Sequence, residues 1–189
     1  MLPHSEKLVI LDRDGVINED SDDYIKSVAE WKPLPRSIEA IARLSHAGYR
    51  IAVATNQSGI GRGLFPLSEL NAMHQLLNEL VTAQGGRIEM IAFCPHAPGE
   101  QCDCRKPKTG LLEQISLRMN INLAAVPLIG DSASDILAAQ QVGATPWLVL
   151  TGKGERTVTQ YKLQGDPLTE VPICRDLFAA VSLLLHQND

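Results

Sequence analysis

The sequence lacks any apolar run of about 18 residues, so no segment resembles a helix that spans a bilayer. It also lacks a positive excess. Lys and Arg number 17 against 22 Asp and Glu, a formal net charge of −5, which argues against a sequence-independent nucleic-acid partner. Aromatic residues are scarce, at three Phe, three Tyr and two Trp. No aromatic interface patch stands out, and a monomer is expected. Cysteine is limited to four, and Cys94, Cys102 and Cys104 fall within eleven residues, a clustering that suits a metal site in a reducing compartment better than a disulfide framework. The segment from Met1 to Lys7 has neither the long apolar core nor the small-residue cleavage site of a secretory signal, so a cytoplasmic location is expected.

What is present is an ordinary globular composition, 44% hydrophobic and 21% charged over 189 residues, suited to one domain over 1–189. Apolar runs alternate with helical patterns. Strands are expected at Lys7–Leu11, Arg50–Ala54, Ile88–Phe93, Val126–Ile129 and Trp147–Leu150. Helices are expected from Pro35 to Ala47, about Ser68 to Gln84, Thr109 to Met119, Ala133 to Val142 and about Asp176 to His186. This alternation predicts an α/β fold, a Rossmann-like parallel sheet with helices on both faces. Ligands of such sheets bind beyond the carboxyl ends of the strands.

Four segments reach that rim. Asp12-Arg13-Asp14-Gly15 places two carboxylates on one side of an extended chain, a pairing suited to a nucleophile or metal ligand beside a proton-exchanging acid, or simply to a solvated acidic turn. Thr55-Asn56-Gln57-Ser58-Gly59 offers a hydroxyl and successive backbone N–H groups to an anion. Arg105-Lys106, if its loop folds back, brings positive charge. Gly130-Asp131-Ser132-Ala133-Ser134-Asp135 adds carboxylates that could merely cap a helix. Two acidic clusters at one rim repel unless a cation lies between them, and oxygen-only ligands favour Mg²⁺.

In this order, DxDG, a strand-terminal Thr, a later Lys and GDxxxD resemble the haloacid dehalogenase-like phosphatase superfamily. The resemblance implies that Asp12 attacks phosphorus and that Asp14 protonates the leaving alcohol and then activates water. It implies that Thr55 and Lys106 stabilise the phosphoryl group. Mg²⁺ would be bound by Asp12, Asp131 and the backbone carbonyl of Asp14, with Asp135 supporting the metal shell.

Cys94, His96, Cys102 and Cys104 form a C-x-H-x₅-C-x-C pattern whose four soft or borderline ligands fit a closed, structural Zn²⁺ site. A buried free cysteine pair or a disulfide would be the plainer readings. Such a clip at about 94–104 would hold Arg105 and Lys106 toward the phosphate.

Together, DRDG, TNQSG, the Cys/His loop and CRKP look like the D-glycero-D-manno-heptose-1,7-bisphosphate 7-phosphatase family of lipopolysaccharide heptose biosynthesis. Histidinol-phosphate phosphatases share the zinc loop. The resemblance covers about residues 7 to 152. It implies a small phosphorylated metabolite, a sugar bisphosphate, contacted by Asp20, Ser21, Asp22, Asp23 and Arg105; Asn56, Gln57 and Ser58 are further candidate contacts. The segments after the first two strands are too short for a cap domain. Val16 and Ser132 depart from the family pattern, which often has Thr and a basic residue there.

Overall fold

A computed structural model describes residues 7–165 and 168–187. The segment from Met1 to Glu6, read above as free of a secretory signal, lies outside the described residues. Among the described residues, six strands form one parallel sheet: β1 (Leu8–Leu11), β2 (Arg50–Asn56), β3 (Met90–Cys94), β4 (Pro127–Gly130), β5 (Thr145–Val149) and β6 (Ile173–Cys174). Their order is β3-β2-β1-β4-β5-β6. Among the described residues, seven helices connect or flank them: α1 (Ser37–His46), α2 (Ser58–Gly61), α3 (Leu67–Ala83), α4 (Gly110–Met119), α5 (Ala133–Gln141), α6 (Gly154–Leu163) and α7 (Leu177–His186).

The apolar run Leu8-Val9-Ile10-Leu11 forms a central strand because both faces of the sheet are covered. Val9 and Leu11 point into one core with Ile41, Leu70, Met73 and Val181 from α1, α3 and α7. Leu8 and Ile10 point into the other with Leu111, Leu112, Ile115 and Ala138 from α4 and α5. Burying one such side chain contributes about 1.5–3 kcal/mol, so this two-sided strand is a main anchor of the site it precedes.

The sixth strand and α6 depart from the expected five-strand sheet. β6 is two residues long, below any periodic signal. Helix α6 (GERTVTQYKL) is mostly polar and buries only Gly154, Thr157 and Tyr161. β5 begins two residues earlier than expected and includes Pro146. A proline there reads as a break, yet a strand's first residues tolerate a missing N–H. Among the described residues, no separate domain interrupts the chain after β1 or β2.

The reversal of strand order falls between β1 and β4, where their carboxyl ends open a crevice. Asp12 and Asp131 stand on either side of it.

Candidate active site

A cleft of about 320 Å³ occupies this point, lined among others by Asp12, Asp14, Thr55, Arg105, Lys106, Asp131 and Lys153. The loop after β3 does fold back. The Lys106 ammonium lies 3.0 Å from Asp12 Oδ1 and 2.5 Å from Asp135 Oδ1, and donates to the Ala54 carbonyl at 2.6 Å. Burial disfavours its charge, but Asp12 and Asp135 outweigh that and raise its pKa.

Lys106 is placed by a residue expected to touch substrate. Asn56 Nδ2 donates to the Lys106 carbonyl at 3.0 Å, and the Lys106 N–H donates to Asn56 Oδ1 at 3.1 Å. The side chain thus clasps the backbone of the lysine from both sides. Gln57 is likewise turned inward, its Nε2 donating to Asp14 Oδ2 at 2.7 Å and to Thr55 Oγ1 at 2.9 Å.

Asp14 is held by several donors. Arg13 is wholly buried, and its Nη2 and Nε meet Asp14 Oδ1 at 2.8 and 3.1 Å. Asn18 Nδ2 adds a bond at 2.8 Å. Burial alone would raise the pKa of Asp14, but the Arg13 charge and the bonds from Asn18, Arg13 and Gln57 prevail and hold it below the ordinary value. His74 Nε2, from α3, lies 3.4 Å from Arg13 Nη1. Burial first, and then the neighbouring guanidinium, lower its pKa to about 4. A neutral His74 therefore accepts from Arg13.

Oxygens of Asp12, Asp131 and Asp135 lie within 4.8 Å of one another. Burial raises Asp12 to about 7; Lys106 opposes this, and Asp135 and Asp14 add to it. Burial, then the charges of Asp12 and Asp135, raises Asp131 to about 8. Such mutually repelling carboxylates suit a hard cation. Asp135 is already engaged, since its Oδ1 faces Lys106 while Oδ2 accepts from the Ser132 N–H and hydroxyl at 3.1 and 2.5 Å. Asp12 uses Oδ1 for the Arg13 N–H and Lys106, which leaves Oδ2 for a cation or phosphorus.

Asp131 occupies a gap that two glycines leave open. A Cβ on Gly15 would lie 2.1 Å from Asp131 Oδ2, and one on Gly152 would lie 2.2 Å from the same oxygen. Both glycines have positive φ, a further reason for their identity. The same oxygen accepts from the Lys153 N–H at 2.7 Å, and Thr157 in α6 holds the Asp131 carbonyl at 2.9 Å.

Beside the cleft, Cys94, His96, Cys102 and Cys104 bring their ligand atoms within 4.8 Å of one another. His96 Nδ1 lies 3.2 Å from Cys104 Sγ and 3.5 Å from Cys94 Sγ. All four cysteines are free, so the disulfide reading is not what the structure shows. Burial pushes the Cys94 thiol up to about 12, a cost that a thiophilic cation would remove by holding the thiolate. The four donors can hold zinc. The loop is also tied to the site directly: the Gln57 N–H donates to the Cys94 carbonyl at 2.7 Å, and the Gly61 N–H to the Pro95 carbonyl at 2.9 Å.

Asp20, Ser21, Asp22, Ser58, Ser132 and Ser134 also line the cleft; Asp23 is not among its lining residues. Asp23 lies in the turn beside it, where its N–H meets Ser21 Oγ at 3.1 Å. The sequence alone gave no site role to Arg13, His74, Gly152 or Lys153. Charge inside DRDG and the lysine after Thr151-Gly152 were the available signals. Lys153 reaches Asp20 Oδ2 at 3.0 Å. Burial disfavours its charge, but Asp20 and then Asp131 and Asp12 raise its pKa.

Comparison with known proteins agrees with this geometry. A HAD-hydrolase-like family model matches residues 103–172. A D-glycero-β-D-manno-heptose-1,7-bisphosphate 7-phosphatase of Pseudomonas aeruginosa is 54% identical over 183 residues, covering 97% of this chain and 99% of that one. The crystal structure of a D,D-heptose 1,7-bisphosphate phosphatase from Bordetella bronchiseptica, complexed with magnesium and phosphate, superposes with a TM-score of 0.90 at 46% identity, covering 96% of this chain and 99% of that one. A histidine biosynthesis bifunctional protein of Blochmanniella floridana is 34% identical over 141 residues, 74% of this chain but 40% of that protein. With near-complete coverage of the heptose bisphosphate phosphatases at 54% and 46% identity, and the carboxylates, lysine and threonine gathered at one switch point, the chain belongs to the D-glycero-β-D-manno-heptose-1,7-bisphosphate 7-phosphatase family of haloacid dehalogenase-like hydrolases.

Proposed function

We propose that the protein is a Mg²⁺-dependent phosphatase that removes the 7-phosphate of D-glycero-D-manno-heptose 1,7-bisphosphate in lipopolysaccharide heptose synthesis. The observation that carries this reading is the cleft itself. Asp12, Asp14, Thr55, Lys106 and Asp131 converge there in a chain 54% identical to a phosphatase of that name.

Asp12 Oδ2 forms a bond to phosphorus while the bond from phosphorus to the sugar O7 breaks, and Asp14 gives its proton to the departing oxygen. Arg13 sets Asp14 ionised in advance, so that proton enters with the substrate, as its phosphate monoanion. Asp14 then takes a proton from water, the water oxygen joins phosphorus, and the bond to Asp12 breaks to release inorganic phosphate. Asp12 and Asp131, with the Asp14 carbonyl, would hold Mg²⁺, which supplies charge neutralisation on the phosphoryl oxygens. Thr55 and Lys106 act on the same oxygens with donors fixed beforehand.

Cys94, His96, Cys102 and Cys104 would hold a structural Zn²⁺, which fixes the loop that carries Arg105 and Lys106. The chain acts as a single domain, a cytoplasmic monomer, without nucleic-acid or membrane partners.

Phosphate release from the heptose bisphosphate and from histidinol phosphate tests the reading, with Mg²⁺, with chelator and with Asp12→Asn. Release from the heptose compound, abolished by chelator and by Asp12→Asn, is expected. Preference for histidinol phosphate would overturn the substrate, and release that survives Asp12→Asn would overturn the mechanism.

A further inference from the structure

Among the described residues, three cations line the cleft: Arg105, Lys106 and Lys153. Lys106 is committed to the reacting end of the cleft, where its ammonium is shared among Asp12, Asp135 and the Ala54 carbonyl. Arg105 has one long bond, from Nη1 to the His96 carbonyl at 3.4 Å, and faces the cleft from the loop after β3. Lys153 comes from the loop after β5. Its backbone N–H fixes Asp131, and its side chain runs over the cleft to Asp20, with 47% of its surface exposed. Asp20 is only 14% exposed and belongs to the loop after β1. The ion pair therefore joins two loops across the cleft. Its lysine end is the solvated one, and ammonium groups exchange such partners at little cost.

We propose that Lys153 is the residue that selects a substrate carrying a second phosphate. Its ammonium transfers from Asp20 to the non-reacting phosphate, and Asp20 is the counter-ion which that phosphate displaces. The proposal rests on the bisphosphatase reading and names the group that reads the second anion. The neighbouring acid, Asp22, is paired outward with Arg156 at 3.3 Å, which leaves Asp20 as the carboxylate that competes for Lys153. Because the tie to Asp131 is through the backbone, replacing the Lys153 side chain leaves that bond in place.

The experiment compares wild type, Lys153→Met and Asp20→Asn. It uses heptose 1,7-bisphosphate, heptose 7-phosphate and inhibition by the product heptose 1-phosphate. For Lys153→Met, KM for the bisphosphate should rise between about ten- and a hundredfold, the range for loss of a charge-assisted contact. KM for the 7-phosphate should move less than about threefold, as for a screened surface charge. The Mg²⁺ concentration for half-maximal rate should hold constant. Product inhibition reads the second-anion contact without the reacting phosphate. It should weaken in Lys153→Met and strengthen in Asp20→Asn, opposite signs that a structural role for the pair would not produce.

Equal KM increases for both substrates, or product inhibition that shifts the same way in both variants, would overturn the proposal. If wild type releases phosphate from neither heptose compound, the functional reading falls. The ratio of KM for fructose 1,6-bisphosphate to that for fructose 6-phosphate then decides the role of Lys153 alone, with the same expected shift.

Discussion

Asn56→Ala separates two roles for a side chain that sits beside the reacting groups. In the structure its amide is bonded both ways to the Lys106 backbone, and Lys106 is 3% exposed. Alanine would leave one N–H and one carbonyl without partners in a nearly closed site, at about 1–3 kcal/mol each. Allowing for partial relaxation, a loss of about 2–4 kcal/mol is expected. For a chain of this size that is a fall in Tm of roughly 5–15 °C. The lysine should also shift against Asp12, and a displacement of about 1 Å can cost on the order of a hundredfold in rate. The expected signature is a lower melting temperature with kcat reduced and KM nearly unchanged. Asn56→Asp, which keeps the acceptor and loses the donor, should fall between. Thermal melts and steady-state kinetics on the same preparations measure both. A variant that melts like wild type and shows only a raised KM would refute the clasp and return Asn56 to the substrate.

Gly152→Ala should lose Mg²⁺-dependent activity by two orders of magnitude or more, because its Cβ would fall 2.2 Å from Asp131 Oδ2. Unchanged Mg²⁺ affinity, measured by titration calorimetry, would contradict the cradle. Asp12 and Asp131 are raised to about 7 and about 8, so metal-free protein holds protons that the unfolded chain has released. It should therefore lose stability as pH rises from about 7 to about 8.5. His74 and Asp14, both lowered, titrate below this window. Mg²⁺ competes with those protons, so the rise in Tm that it causes should be larger at pH 8.5 than at pH 7; equal increments would count against the cluster as the cation site. Cys104→Ser should lower the zinc content, measured by plasma emission, from about one per chain, with kcat falling alongside. A wild-type protein grown with zinc yet containing none would remove the structural metal.

Much of the site was legible because strand ends announce themselves. The LVIL run stops at Asp12, and RIAVA stops at Thr55, so pattern alone placed both at the same rim. Direction was not legible. Asn56 ends β2 and Gln57 follows it, both lining the cleft, and only the fold-back of residues 94–106 shows that their amides also hold the Lys106 backbone, Thr55 and Asp14. Lys153 stood in a segment, Thr151-Gly152-Lys153, that showed no partner, since Asp20 lies far away in sequence. Helix α6 stayed hidden because its apolar residues are few, and Tyr161 finds its core with Ile136, Leu148, Leu168 and Val171 from other elements.

Asp135 holds the first turn of α5 through Ser132 with one oxygen and the ammonium of Lys106 with the other. A single carboxylate thereby belongs at once to the folding of the chain and to the charge balance of its cleft. Substitutions that erode the cleft at this point also loosen a helix, so they meet selection as folding defects before they meet it as slow enzymes. In a lineage that no longer needed the reaction, this corner of the site would be among the last to drift.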